Sequence, residues 1–397
     1  WGGVLALVVH LVNAILLRFL GMRLGLSART ATLMAVLFAA IPFGIQALTW
    51  DSAFSFVFCS SFALAYFIIL TLFAEGRIGG LVAGGLSFVL VFLCMCANES
   101  LLFTLAYFAL FPYLRNAGSI RSALSINGIR QGGRQLALTI PVACSIGAWC
   151  IVFLATRPEH FHKTIAAFHW ISVLTGILRQ EFQITWLLHL GVISRSATLF
   201  TWAAIVLLGV FLACWLWKRG ESVSGDHVAS SSVSFFFLLL PFSSSAIYVL
   251  SGGFSLDARK QYPIWLIILI AAFFLIDRHS SIMRRRWFEA VVASGAVVLG
   301  FCSSCGVGIW NETGTSMEEA FDLIRSAELD APYQFENYDH AYKGWPDYEM
   351  IMGSPVDHWT VIGGVGSAFR KGDGTTLVWS EDVNEWKVRP DPEVSGR

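Results

Sequence analysis

Long apolar segments separated by short polar ones make up the first 310 residues of the chain. A helix needs about 20 mostly apolar residues to cross the hydrocarbon core of a bilayer. About ten segments approach this length, so we predict that residues 1–310 form an all-α polytopic membrane unit with about ten transmembrane helices. The segments are 1–20, 30–49, 53–74, 80–97, 100–114, 136–156, 197–217, 233–251, 262–277 and 288–310.

The composition supports this interpretation. Charged residues make up 14% of the chain and hydrophobic residues 56%, whereas a soluble domain has roughly 25% charged residues. The 27 Lys/Arg are balanced by 27 Asp/Glu, and a chain with no basic excess is poorly suited to the phosphate backbone of nucleic acid. We therefore predict a membrane protein with no nucleic-acid partner.

Residues 311–397 differ from the rest in charge and in pattern. They hold 17 Asp/Glu and 7 Lys/Arg, whereas residues 1–310 hold 10 and 20. Ser316 is followed three residues later by Glu319, which is a capping box before an amphipathic helix. The later stretch "TVIGGVGSAFRKGDGTTLVWSED" predicts two strands around a glycine-rich turn. We predict a small, acidic α+β domain here.

Basic residues are divided unequally between the predicted loops. Alternate threading of the segments places 14 Lys/Arg on one side and 6 on the other. Cytoplasmic loops of membrane proteins are enriched in Lys and Arg, so the side with 14 is predicted to be cytoplasmic. The C-terminal domain then lies outside the cytoplasm.

Four of the six outer basic residues, Arg179 among them, fall in the loop 157–196. The loop alternates apolar and polar patches without reaching spanning length, which predicts amphipathic helices in the membrane interface. The basic side chains either extend from the interface towards water or meet an anion such as a lipid-linked phosphate.

Asp51, in the stretch "ALTWDSAF", stands between two apolar segments with little polar sequence around it. A carboxylate is costly in an apolar setting unless water or a partner reaches it. Asp51 either caps the N-terminus of the next helix or faces a functional site, and the two roles are compatible.

Several short motifs occur in a consistent order. They are His10 and Asn13 in the first segment, the "RLGLS" turn at 23–27, Pro42, the Trp50-Asp51 pair, "CMCANESLLF" with Glu99, and "DARKQYP" with Arg259, Tyr262 and Pro263. This order resembles that of GT-C superfamily glycosyltransferases, in particular the protein O-mannosyltransferases and their bacterial relatives. The resemblance covers about residues 1–310.

The resemblance implies a donor sugar on a polyprenyl phosphate or diphosphate and a protein or glycan acceptor on the outer side of the membrane. Asp51 and Glu99 would be catalytic carboxylates. Such a reaction needs cations or a divalent metal ion at the leaving phosphate, although the sequence identifies no metal ligands. The expected substrate-binding residues are Arg259, Tyr262, Arg179, Trp50 and His10.

The chain departs from the family pattern at Pro263, which stands one place earlier than in an Arg-x-x-Tyr-x-Pro segment, and in two further places. Asn98 stands where the family has a lysine beside its glutamate, and the resemblance begins at the family's second span. The family's main catalytic carboxylate lies in the first outer loop, so we expect a missing N-terminal segment or a partner subunit to supply it. A prophage-type O-antigen glucosyltransferase is a variant of the same class. We favour a bacterial inner membrane over the endoplasmic reticulum.

A non-enzymatic membrane protein, either a transporter or a subunit of a membrane assembly, is the alternative. Polar groups inside its helices would line a continuous route across the membrane. Few charged residues fall in the middle of the predicted helices, which disfavours an ion-coupled pump.

Cysteines introduced as Arg285→Cys and Ala320→Cys, after replacement of the eight native cysteines, test the topology. We expect a membrane-impermeant maleimide to reach the two positions from opposite sides, because one lies in a basic loop and the other in the acidic domain. Labelling of both positions from the same side would contradict the assignment.

Overall fold

The computed structural model describes residues 2–40, 54–117, 119–156, 231–250, 258–279, 287–297, 299–300, 319, 322, 333–336, 375–380 and 385–389. The chain divides into two compact units, Trp1–Gly300 and Phe301–Arg397. The division falls ten residues before the predicted boundary at 310.

In its described residues, the first unit consists of helices joined by short turns. Its helices, numbered along the described chain, are α1 (Gly2–Arg23), α2 (Ala28–Ala40), α3 (Ser55–Ala74), α4 (Gly80–Ala97), α5 (Leu102–Phe108), α6 (Phe111–Asn116), α7 (Ile120–Leu124), α8 (Ile126–Gln131), α9 (Gly133–Leu136), α10 (Thr139–Thr156), α11 (Ser231–Leu250), α12 (Ala258–His279) and α13 (Trp287–Val297). A 3-10 turn, Glu99–Leu101, precedes α5.

Four helical segments are long and apolar enough to cross a membrane: Val4–Arg23, Ser55–Ala74, Gly80–Ala97 and Gly133–Thr156. Large apolar side chains such as Leu81, Ile140 and Ile151 are exposed on them, as expected of helices that face lipid. The prediction of a mainly helical unit with apolar helices of membrane-spanning length is therefore confirmed. Residues 41–49 of the predicted segment 30–49, and the whole predicted segment 197–217, lie outside the described residues.

The predicted span 100–114 is not one helix. It is divided into the 3-10 turn, α5 and α6, with a break at Ala109 and Leu110. Pro112 lies in the first turn of α6, where its missing N–H costs no helical hydrogen bond. The structure therefore has two short helices here, where one uninterrupted helix was predicted.

The turns after α1 and α3 have the same construction. In the second, the Arg77 amide donates to the Leu72 carbonyl (3.0 Å) and the Gly76 amide to the Phe73 carbonyl (2.9 Å). These two bonds form a Schellman motif, which needs a residue with positive φ. Gly76 supplies it with φ 71°, and Gly25 supplies it in the first turn with φ 95°.

Contacts between residues far apart in the chain show the direction of α11 and the position of α13. Ser232 donates to the Leu114 carbonyl (2.8 Å) and Ser243 donates to Thr104 (3.2 Å), so α11 runs antiparallel to the segment 99–116. Arg29 pairs with Glu289, which brings the start of α13 to the start of α2.

We call the end that holds the α1–α2 and α3–α4 turns the basic end. Helix directions bring nine described arginines to it: Arg18, Arg23, Arg29, Arg77, Arg115, Arg121, Arg130, Arg134 and Arg278. Glu99 and the start of α12 lie at the opposite end.

Stacked aromatic rings fill the centre of the unit. Ring centroids are 3.9 Å apart for Phe67 and Phe108, and 4.0 Å apart for Phe237 and Phe274. These pairs connect α3 to α5 and α11 to α12. Because each aromatic side chain buries a large apolar area, they fix the packing of the helices that carry the site.

The second unit contains a three-stranded sheet of β1 (Tyr333–Glu336), β2 (Thr375–Ser380) and β3 (Glu385–Arg389). The central strand β2 pairs in parallel with β1 and antiparallel with β3. It coincides with the end of the stretch predicted to form two strands. Residues 319 and 322 of the predicted amphipathic segment are helical.

Gly76→Ala tests the turn after α3. A methyl group here meets nothing within 4 Å, so only the left-handed backbone opposes it, and we expect a loss of about 1–2 kcal/mol of stability. Gly85→Ala is the control, because its methyl also meets open space but lies inside α4. Thermal unfolding in detergent should show a lower midpoint for Gly76→Ala alone, and equal midpoints would contradict the explanation.

Candidate functional site

Four polar side chains from three helices form a hydrogen-bonded group inside the bundle. Nδ1 of His10 lies 2.8 Å from the Tyr262 hydroxyl. The Asn13 amide donates to the same hydroxyl (3.1 Å) and to the Val57 carbonyl (3.0 Å). The Ser61 hydroxyl donates to the Asn13 side-chain oxygen (2.6 Å). We call His10, Asn13, Ser61 and Tyr262 the polar network.

The acceptors determine how protons are placed in the polar network. Nε2 of His10 lies 3.3 Å from the Ala39 carbonyl, which can only accept, so Nε2 carries the proton of a neutral imidazole. Nδ1 is then an acceptor, and the Tyr262 hydroxyl donates to it. That hydroxyl accepts from Asn13, so its donor and acceptor capacities are both used.

Three of the four residues of the polar network are buried, and Ser61 is half-buried. His10 is 4% exposed, Tyr262 2% and Asn13 0%. Aromatic contacts enclose it, because the Phe38 ring centroid lies 5.0 Å from that of His10 and 5.5 Å from that of Tyr262. The network therefore joins α12 to α1 and α3 and positions the helix that carries the predicted Arg-x-x-Tyr motif.

Glu99 begins the 3-10 turn at the opposite end from the arginines, and its side chain is exposed. The helix before it ends at Ala97, so Glu99 follows directly after a helix terminus. The neighbouring Asn98 accepts a hydrogen bond from the Ser100 amide (2.9 Å). Asn98 therefore caps the 3-10 turn.

Arg259 lies in the first turn of α12, three residues before Tyr262. Its backbone is described, and its side chain lies outside the described residues. The 3-10 turn that carries Glu99 contacts α12. The 3-10 turn that carries Glu99 is thus a neighbour of the helix that carries the Arg-x-x-Tyr motif, and convergence of the two side chains stays a prediction.

Asp51, Trp50 and Arg179 lie outside the described residues, as does the interfacial loop 157–196. The N-cap position of α3 belongs to Phe54. Both predicted roles of Asp51, helix capping and a place at a functional site, stay predictions.

Within the described ranges, no three His, Cys, Asp or Glu side chains are grouped so that they could hold a metal ion. The described part of the predicted site contributes one carboxylate, that of Glu99. No ligand set for a metal can be assigned from these residues.

Sequence reasoning missed Ser61 and a second buried polar cluster. Cys59, Cys94 and Ser100 meet beside the 3-10 turn, with the two sulfurs 3.7 Å apart and the Cys59 sulfur 3.6 Å from the Ser100 hydroxyl. Serine and cysteine are common in apolar helices, so no local signal separates these residues from ordinary packing positions. The free cysteines Cys59 and Cys94 are fully buried, as expected of small apolar side chains.

Comparison with known proteins found no match to this chain among protein-family models, curated proteins or solved structures.

Tyr262→Phe tests the polar network. It removes the hydroxyl shared by His10 and Asn13 and leaves polar atoms of both without that partner, so we expect a loss of about 1–2 kcal/mol. Tyr107→Phe is the matched control, because the Tyr107 hydroxyl contacts a single helical carbonyl, that of Phe236 (3.2 Å).

Thermal unfolding midpoints of both variants, together with a double-mutant cycle between His10→Ala and Tyr262→Phe, provide the measurement. Additive effects in the cycle, or an equal loss in the control, would show that the hydroxyl does not couple α1 to α12.

Proposed function

We propose that the chain is the membrane part of a GT-C-type glycosyltransferase, which moves a sugar from a polyprenyl-linked phosphate donor to an acceptor on the extracytoplasmic side. The observation that carries this proposal is the direct hydrogen bond between His10 and Tyr262. These residues belong to two motifs of the resemblance and are 252 positions apart in the chain.

The polar network connects these two motifs by hydrogen bonds. Tyr262 is one helical turn from Arg259, so a fixed Tyr262 restrains the rotation of α12 about its axis. Restraint of this kind holds a binding group in one geometry. In the proposed enzyme His10 and Tyr262 act mainly as positioning residues, which refines their expected role in substrate binding.

The proposed chemistry uses groups at the end opposite the arginine cluster. Glu99, an exposed carboxylate, would orient or deprotonate the acceptor hydroxyl. Arg259 would bind the phosphate that leaves as the sugar is transferred, since a guanidinium donates two parallel hydrogen bonds to phosphate oxygens. A polyprenyl chain partitions into lipid, so its headgroup reaches reactive side chains at the membrane surface.

The remaining parts of the proposal rest on the sequence. Asp51 would be a second carboxylate near the acceptor, and Trp50 and Arg179 would contact the donor. A further carboxylate from an upstream segment or a partner subunit would complete the site.

A transporter is the alternative, and one observation disfavours it. In the described helices, His10, Asn13, Ser61 and Tyr262 satisfy one another and the enclosing backbone. Such a closed group does not line a route for a solute.

Arg259→Ala tests the proposal, with Lys260→Ala as a control of equal charge at the neighbouring position. In a transfer assay with a radiolabelled polyprenyl-phosphate sugar, we expect Arg259→Ala to reduce transfer at least about 100-fold, as is typical when a group that stabilises the transition state is removed. Lys260→Ala should keep most of the activity.

Both variants should elute from size exclusion as the parent does, because the change removes phosphate recognition and leaves the buried contacts of α12 intact. Glu99→Gln should also lose transfer while keeping donor binding. Full activity in Arg259→Ala, or equal losses in Arg259→Ala and Lys260→Ala, would refute the site.

A further inference from the structure

A cavity of about 420 Å³ opens at the basic end of the first unit. It lies between the α3–α4 turn, the end of α6 and the short helix α9. Its polar lining comes from Arg77, Asn116, Arg134 and Gln135, and its apolar lining includes Phe73 and Ile78. None of these residues belongs to the proposed transferase site, which lies at the other end of the bundle.

Positive charge beside this cavity is only partly neutralised. One carboxylate, that of Glu75, is approached by three guanidinium groups: Arg23 at 3.5 Å, Arg77 at 3.3 Å and Arg115 at 3.9 Å. Arg134 adds a fourth, so four positive charges face one negative charge. In the described residues Nη1 of Arg115 is buried and makes no hydrogen bond. An anion in the cavity would relieve this imbalance.

Two of the arginines are available to such an anion. The Arg77 side chain is 59% exposed, and its Nε lies 3.3 Å from the Glu75 carboxylate. Arg134 is exposed. Guanidinium nitrogens presented from two sides suit the tetrahedral oxygens of a phosphate group.

The backbone around the cavity also favours an anion. Gly79 lines the cavity and is the N-cap of α4, an 18-residue helix with no side-chain hydrogen bond at its N-cap. The first amides of a helix lack intrahelical acceptors and carry partial positive charge. Gly76 and Gly79 have no side chains, and a methyl group at either would meet nothing within 4 Å. The turn therefore leaves room for a group near these amides.

The surroundings identify the source of the phosphate. The cavity lies at the ends of apolar helices, and the excess of arginine predicts that this end faces the cytoplasm. Basic cavities between transmembrane helices on that side bind anionic lipid headgroups, and Phe73 and Ile78 offer apolar surface to the first part of an acyl chain. We propose that this cavity binds the phosphate of an anionic phospholipid of the cytoplasmic leaflet.

The test compares two double variants of equal charge. Arg77→Gln with Arg134→Gln removes the cavity arginines, whereas Arg121→Gln with Arg130→Gln removes two exposed arginines of the same end that do not line the cavity. The purified full chain is titrated in detergent with phosphatidylglycerol or phosphatidylcholine. The rise in thermal unfolding midpoint gives an apparent affinity, and native mass spectrometry counts the lipids retained.

Phosphatidylglycerol, and not phosphatidylcholine, should stabilise the parent chain and retain one tightly held lipid. The cavity variant should bind it about tenfold or more weakly, and the control variant within about twofold of the parent. Equal weakening in both variants, or equal stabilisation by phosphatidylcholine, would overturn the proposal, because surface charge or apolar contact would then explain binding.

Two further arms separate the remaining explanations. Inorganic phosphate and glycerol phosphate are titrated alone, and if either matches the lipid's effect at equal concentration, the lipid assignment is overturned in favour of a soluble phosphate. Arg134→Gln alone guards against misfolding, since Arg134 forms no ion pair with a described residue. It should retain the parent's lipid-free midpoint and still lose at least half of the lipid-induced shift, and an unchanged shift would refute the cavity.

Discussion

A polar group inside an apolar helical bundle must find its partner within the bundle, and this requirement organises the first unit. No water is present in the hydrocarbon core to replace a missing hydrogen bond. The polar network satisfies this requirement, because its side chains donate hydrogen bonds to one another and to nearby carbonyls. Stacked aromatic rings allow two helices to pack closely at many relative rotations. The hydrogen bonds of the polar network, in contrast, form at one relative rotation of the helices. The polar network therefore specifies how α12 sits against α1 and α3.

The two ends of the bundle have different chemistry. At the basic end, three arginines share Glu75 and a fourth lines the neighbouring cavity. At the opposite end Glu99 is exposed on a 3-10 turn beside α12. A membrane protein needs this difference to hold one orientation in the bilayer, and here it also separates a proposed lipid-anchoring cavity from a proposed reaction site. The lipid cavity and the transferase site can be tested separately because they share no residue.

Short elements between the long helices place the residues of the two proposed sites. The 3-10 turn places Glu99 at the surface immediately after α4 ends, and Asn98 caps that turn through the Ser100 amide. The Schellman turn after α3 reverses the chain within five residues, from Glu75 to Gly79, and leaves Arg77 and the start of α4 beside the cavity. Each site thus depends on a helix terminus, where backbone groups lack helical partners.

The sequence by itself determined that the first unit is mainly helical and holds apolar helices long enough to cross a membrane, because apolar runs of this length are a property of local composition. It also located the turn at 23–27 and the polar residues His10, Asn13, Glu99 and Tyr262. Only the tertiary structure decided that His10 and Tyr262 bond to each other, that the span predicted at 100–114 is broken, that Glu99 is exposed, and that Arg77 and Arg134 line one cavity. Hydropathy reflects the free energy of transferring each segment into lipid, and this free energy is nearly independent of the neighbouring segments. The partner of a given side chain, in contrast, depends on the rotation and direction of helices far apart in the chain.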